Sequence, residues 1–136
     1  MNIKTGNLGK IHTILMLFVT LNIIGDIGNV AFWWANSDSR AASLNTGYIA
    51  TVAGIDNALI AGTVILLVVS TVYIAALFGL LKKMVWAPSL VIAISVANRT
   101  LALPLYFISP AFAFWAVWTA ILVIVSYLDW KKLKAQ

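Results

Sequence analysis

Four long apolar runs constrain the fold of this chain more than any other feature of its sequence. They cover about residues 11–35, 57–81, 85–107 and 111–130. Each run is close to or longer than the ~20 residues that a helix needs to cross a hydrocarbon core of ~30 Å. Apolar residues follow one another in these runs instead of alternating with polar ones, so membrane-spanning helices are predicted and membrane β-strands are not.

Composition also indicates a membrane protein. Of the 136 residues, 62% are apolar and 10% are charged, whereas soluble domains contain roughly 45–50% apolar residues. We therefore expect an all-α integral membrane protein with one domain, residues 1–136, folded as an antiparallel, left-handed bundle of four transmembrane helices. The one long connection is an outer loop over residues 36–56. The other two connections are short, which makes the helices that they join antiparallel neighbours.

Lysine residues predict the orientation of this bundle. Lys4 and Lys10 precede the first run, Lys82 and Lys83 lie in the second connection, and three further lysines follow the fourth run. The first connection carries Arg40 as its one basic residue, and the third carries none. Since basic residues collect on the cytoplasmic side of membranes, we expect both termini in the cytoplasm of a multi-pass protein of a prokaryotic plasma membrane.

The sequence supplies few residues for catalysis or metal binding. It contains no cysteine, no glutamate and one histidine, His12, at the inner boundary of the first run. Thiol chemistry is therefore excluded, and no metal site, cofactor or nucleophile–base pair is predicted. Asp129 is interpreted as a residue of the inner membrane interface, beside Trp130 and Lys131. The net charge of +5 follows from the lysine asymmetry and does not indicate nucleic-acid binding.

Polar residues interrupt the first run at one depth. Asn22, Asp26 and Asn29 follow the spacing i, i+4, i+7, which places them on one narrow face of a helix. A charged side chain in the middle of a membrane costs at least ~2.5–3.5 kcal/mol on insertion scales. We therefore expect Asp26 to have a partner inside the bundle.

The third run carries a matching polar face. Ser95, Arg99 and Tyr106 follow helical spacing, and Asn98 lies beside Arg99. At 1.5 Å per residue, Asp26 lies ~22 Å and Arg99 ~21 Å from the inner boundary, so the two charges are predicted at the same level. Three interpretations are open: a structural ion pair, an ion- or ligand-binding site, or an Arg99 side chain that reaches outward to lipid phosphate or an outer carboxylate.

The polar residues suggest a pocket that opens to the outer side. Between Asn22 and the cytoplasmic side, the interior is expected to hold only hydroxyl groups such as those of Ser70 and Ser126, so a proton or ion wire is not predicted. Aromatic residues of the outer interface would surround the mouth of the pocket. The candidate ligand-binding residues are Asn22, Asp26, Asn29, Ser95, Asn98, Arg99 and Tyr106.

Two functions fit this pattern. The first is a small membrane protein that binds or transports a hydrophobic or amphipathic small molecule or a lipid, alone or as a homo-oligomer. The second is a non-catalytic structural subunit of a larger membrane complex, whose polar face meets the helices of other subunits. Behaviour in detergent separates them, because a subunit would be unstable without its partners. An enzyme has the least support, since acid–base chemistry would depend on Asp26 or Asp56 alone.

Overall fold

The computed structural model describes residues 3–35, 55–102 and 111–136, and these ranges are helical apart from a turn and the last residues. Side chains are described for residues 9–32, 34–35, 60–100 and 113–136. The four helices are α1 (Ile3–Ala35), α2 (Ile55–Leu81), α3 (Trp86–Ala102) and α4 (Ala111–Lys134). They correspond to the four predicted runs. Most of the predicted outer loop, together with Tyr106, lies outside the described residues.

The helices pack in a ring, in which α1 contacts α2 and α4, and α3 contacts α2 and α4. Hydrogen bonds at both ends give the direction of α2 relative to α1. His12 contacts the carbonyl of Leu80, whereas Trp34 donates to Thr63. The start of α1 therefore lies beside the end of α2, and the two helices are antiparallel.

The same reasoning applies to α1 and α4. His12 contacts Asp129, and Asn22 accepts a hydrogen bond from Trp118. The start of α1, the end of α2 and the end of α4 therefore share one end of the bundle, which we call the lysine end. Among the residues with described side chains, six lysines are located at this end: Lys10, Lys82, Lys83, Lys131, Lys132 and Lys134.

Three of the helices are long and apolar enough to cross a membrane. The candidate spans are Gly9–Phe32, Ile60–Leu81 and Ala113–Lys134. Helix α3 does not meet the same criteria: it is described over 17 residues, and it carries Asn98 and Arg99.

The bundle has polar groups inside and large apolar side chains outside. Asp26 and Ser95 are buried, with exposed fractions of 5% and 2%. Leu17, Val64 and Val117 are each more than half exposed. A soluble monomer rarely exposes apolar surface on this scale, so the outer surface is suited to lipid.

A tight turn joins α2 to α3. The N–H of Met84 donates to the carbonyl of Gly79, and the N–H of Lys83 donates to that of Leu80, which is the pattern of a Schellman cap. Lys83 has a φ of 54°, the left-handed conformation that this cap requires. A Cβ atom at Gly79 would lie 2.7 Å from side-chain atoms of Trp86 and Ala87. The absence of a side chain at Gly79 thus lets α3 pack directly against the end of α2.

Candidate functional site

Polar side chains from all four helices meet in the half of the bundle remote from the lysine end. We call this group the Asp26 layer. Its members are Asn22 and Asp26 of α1, Tyr73 of α2, Ser95 and Arg99 of α3, and Trp118 and Thr119 of α4.

Asn22 links α1 to α4 within this layer. Its Nδ2 donates to Oδ2 of Asp26 over 3.1 Å, and its Oδ1 accepts from Nε1 of Trp118 over 2.9 Å. The spacing of four residues places the amide and the carboxylate on the same face of α1. Trp118 also packs against Phe18, with ring centroids 5.2 Å apart. Asn22 therefore holds the carboxylate of Asp26 in place and ties it to α4.

Tyr73 and Ser95 form the link between α2 and α3. Their hydroxyl oxygens are 2.7 Å apart, and either group can be the donor. Both residues are buried with exposed fractions of 2%. Each hydroxyl thus provides the other with a hydrogen-bond partner inside the bundle, where an unpaired polar group is costly.

Arg99 joins α3 to α4. Its Nε donates to Oγ1 of Thr119 over 3.1 Å, and the hydroxyl of Thr119 donates to the carbonyl of Trp115 over 2.9 Å. The guanidinium belongs to the same layer as the carboxyl group of Asp26, and an ionised carboxylate there would be attracted to it. Unlike Asp26, Arg99 is only partly buried. The layer therefore contains a carboxyl group that is enclosed and a guanidinium that is partly open to the surroundings.

The predicted site residues divide into three groups. Asn22, Asp26, Ser95 and Arg99 meet in the Asp26 layer. Asn29 and Asn98 are partly buried. Tyr106 lies outside the described residues, so its predicted position near the pocket stays a prediction.

Three members of the layer were not predicted as site residues: Tyr73, Trp118 and Thr119. Trp118 is an aromatic residue of the fourth run, and its indole N–H points to Asn22 inside the bundle. The hydroxyl of Tyr73 was the available signal in the second run, because a phenol in an otherwise apolar span needs a partner.

A second polar cluster lies at the lysine end and corrects the interpretation of Asp129. This residue is fully buried, so its carboxyl group faces the interior of the bundle and not the surface beside Trp130 and Lys131. Its carboxylate oxygens are 3.0 and 2.9 Å from Nδ1 of His12, which is also buried. The interior on the lysine side of Asn22 therefore holds an acid and a base, contrary to the expectation that it would hold hydroxyls only.

The other ring nitrogen of His12 is also engaged. Its Nε2 lies 2.7 Å from the carbonyl oxygen of Leu80, which also accepts the N–H of Lys83 in the cap of α2. A histidine with both nitrogens occupied is not available as a base for a neighbouring nucleophile. Among the described residues, no group of three or more His, Cys, Asp or Glu side chains is arranged to hold a metal ion.

Comparison of the chain with protein-family models, with curated proteins and with solved structures finds no match.

Proposed function

We propose that the protein crosses the membrane four times with both termini in the cytoplasm, in the plasma membrane of a prokaryote. The lysine end would face the cytoplasm, as the distribution of basic residues suggests. The antiparallel arrangement of α1 and α4 supports this topology, because it brings the start of α1 and the end of α4 to the same end of the bundle.

Helix α3 is the fourth span in this proposal. It contacts α2 near Gly79 at one end and α4 through Arg99 at the other, so it lies beside two candidate spans along its length. Its 17 described residues measure about 26 Å, near the thickness of the hydrocarbon core. Of the side chains that lower its hydropathy, Ser95 is buried, and Asn98 and Arg99 are partly buried.

Within the membrane, the protein binds or transports a hydrophobic or amphipathic small molecule or a lipid at the Asp26 layer. One observation carries this proposal: the buried carboxyl group of Asp26 and the partly buried guanidinium of Arg99 belong to one layer, to which all four helices contribute hydrogen-bonding side chains. Ionisable residues inside a membrane protein commonly mark binding sites or pathways. Arg99 offers donors to an anionic or carbonyl head group, and the surrounding helices offer apolar walls to its tail.

Thermal stability in the presence of lipids tests this function. The purified protein in a non-ionic detergent would be titrated with short-chain phosphatidylcholine, phosphatidylglycerol and diacylglycerol. A lipid that binds the folded state should raise the melting temperature, since 100-fold excess over Kd stabilises by about 2.7 kcal/mol. Asp26→Asn and Arg99→Gln should each remove that rise.

Ser89→Ala is the matched control, because Ser89 is an exposed residue of α3 outside the layer. This variant should respond to lipid like the wild type. Asp129→Asn is unsuitable as a control, since Asp129 contacts His12 inside the bundle. A wild type whose melting temperature is unchanged by all three lipids, or a rise that survives in Asp26→Asn, would contradict the binding function.

The alternative function is a structural subunit of a larger membrane complex. It is favoured by hydrogen bonds between members of the Asp26 layer. Asn22 donates to Asp26 and accepts from Trp118, and Tyr73 shares a hydrogen bond with Ser95. A network of this kind can serve to fix helix packing alone. In that case only companion chains, or further copies of this chain, would raise the melting temperature.

A further inference from the structure

His12 connects three helices at the lysine end. The residue belongs to α1, its Nδ1 faces the carboxylate of Asp129 on α4, and its Nε2 faces the carbonyl of Leu80 at the end of α2. His12 and Asp129 are 6% and 0% exposed. These contacts are distant from the Asp26 layer, and the function proposed above makes no use of them.

The geometry fixes the number of protons that this cluster holds. The carbonyl oxygen of Leu80 can only accept, so Nε2 of His12 must carry a proton. The contact between Nδ1 and Asp129 needs a second proton, carried by either the imidazole or the carboxyl group. The charged pair and the neutral pair therefore contain the same two protons and differ only in the position of one of them.

Loss of one proton breaks a contact in either case. If the second proton leaves, the lone pair of Nδ1 faces a carboxylate and repels it. If the proton on Nε2 leaves instead, the lone pair of that nitrogen faces the oxygen of Leu80. The three helices are thus joined at this end only while both protons are bound.

A buried hydroxyl group lies close to this cluster along α4. Ser126 precedes Asp129 by three residues, so the two share one face of the helix, and both are fully buried. The Oγ of Ser126 makes no hydrogen bond to any described residue. It is therefore a free donor on the same face as Asp129, suited to a second arrangement of the cluster in which the carboxylate no longer faces His12.

We propose that His12 and Asp129 form a proton-binding site, and that release of a proton from this site opens the lysine end of the bundle. The chemistry is reversible proton transfer to water with no other reactant. Opening consists of the separation of α1 from the ends of α2 and α4, because His12 makes the described polar contacts that join α1 to both helices at this end.

The charged groups around the site come from each neighbouring helix. Lys10 lies on α1, Lys82 and Lys83 follow α2, and α4 carries three lysines near its end: Lys131, Lys132 and Lys134. Among these, Lys132 attracts the carboxylate of Asp129. The one charged group of α3, Arg99, lies in the other half of the bundle. The positive charges of these lysines therefore lie at the ends of the three helices that meet at His12 and Asp129.

Nuclear magnetic resonance can observe the proton directly, because His12 is the one histidine of the chain. Full-length protein in lipid nanodiscs would be prepared with histidine whose ring nitrogens are labelled with ¹⁵N. A titration from about pH 5 to about pH 9 covers the range in which histidine commonly responds. We expect the Nδ1 and Nε2 signals to change from a ring with both nitrogens in hydrogen bonds to a ring with one free nitrogen.

Cysteine labelling measures opening in parallel. Leu133→Cys places a single thiol at a buried position, one turn beyond Asp129. Gln136→Cys, at an exposed position of the same end, corrects for the reactivity of the thiol itself as the pH rises. The ratio of the two maleimide labelling rates should increase about tenfold over the pH interval in which the His12 signals change.

Asp129→Asn supplies the matched variant. An amide group can donate to Nδ1 while a neutral imidazole donates from Nε2 to Leu80, so every contact is retained without a removable second proton. In the Leu133→Cys background, this change should abolish the pH dependence of the labelling ratio. If this variant fails to fold, the wild-type titration and the Leu133→Cys ratio still decide the proposal.

Three outcomes would overturn the proposal. In the first, the His12 signals are the same across the whole pH range. In the second, they change while the labelling ratio stays constant. Either result would make the cluster a fixed structural joint. A labelling ratio that changes with pH equally in the wild type and in Asp129→Asn would assign the opening to another group.

Discussion

Asn22 shows how one side chain serves two helices in an apolar interior. Its carbonyl oxygen accepts the indole N–H of Trp118, and its amide donates to Asp26. An isolated amide in such an interior would cost several kcal/mol on transfer from water to hydrocarbon. Bonded on both sides, it instead fixes the distance between α1 and α4 and holds the carboxylate of Asp26 in one position.

Trp118→Phe tests this arrangement. The change keeps an aromatic ring but removes the N–H, so the carbonyl of Asn22 loses its partner. We expect the free energy of unfolding to fall by about 1 kcal/mol, within the range measured for hydrogen bonds in membrane proteins. Trp34→Phe is the control, because the indole of Trp34 donates to Thr63 at an exposed position. Unfolding in mixed detergent micelles would measure both, and an equal loss in the two variants would contradict a special role for Asn22.

The connection between α2 and α3 determines how closely these two helices approach each other. It consists of a Schellman cap and a glycine, Gly79, that faces Trp86 and Ala87. The cap satisfies carbonyls at the end of α2, and one of them, at Leu80, also contacts His12. The geometry of this turn therefore influences both the position of α3 and the cluster at the lysine end.

Gly79→Ala should disturb this contact between elements. The new methyl group would lie 2.7 Å from atoms of both Trp86 and Ala87, and overpacking of this kind costs about 1–3 kcal/mol. Gly28→Ala is the matched change in α1, where a Cβ would meet nothing within 4 Å. Because alanine favours helix by about 1 kcal/mol relative to glycine, Gly28→Ala should be neutral or stabilising. A thermal melt in which both variants resemble the wild type would show that α3 can shift without cost.

At the scale of the whole molecule, the number of spans and the positions of the termini are linked. Helix α1 and helix α4 are antiparallel, so the first and last described residues lie at the same end. That arrangement needs an even number of crossings if α1 and α4 both span. Helix α3 does not meet the criteria for a candidate span. A measurement of the topology therefore decides whether α3 crosses the membrane.

Labelling of single cysteines measures the topology. A cysteine introduced at Ser39 or at Gln136 is the sole thiol of its variant, because the chain has no cysteine of its own. With four spans, a membrane-impermeant maleimide should reach them from opposite sides of sealed vesicles. With three spans, in which α3 does not cross, both would react from the same side.

The sequence alone determined the four helices of the described residues and the location of most of the polar layer. Unbroken apolar runs permit little other than helices in lipid, so the helix positions followed from length and hydropathy. Asp26 and Arg99 could be placed at one depth because the rise of a helix is constant. Asn22 and Asp26 could be placed on one face because helical periodicity brings residues four apart together.

The tertiary structure alone decided which side chains touch across helices. His12 and Asp129 are separated by 117 positions in the chain, and each lies near the end of an apolar run where an interface residue is equally expected. Helical periodicity fixes angles around one axis, but it does not fix how two helices are rotated relative to each other. That rotation follows from the packing of buried side chains such as Leu15, Val19 and Tyr73. It places an acid and a base in contact inside the bundle, whereas the sequence predicted both at the inner boundary and only hydroxyl groups in the interior.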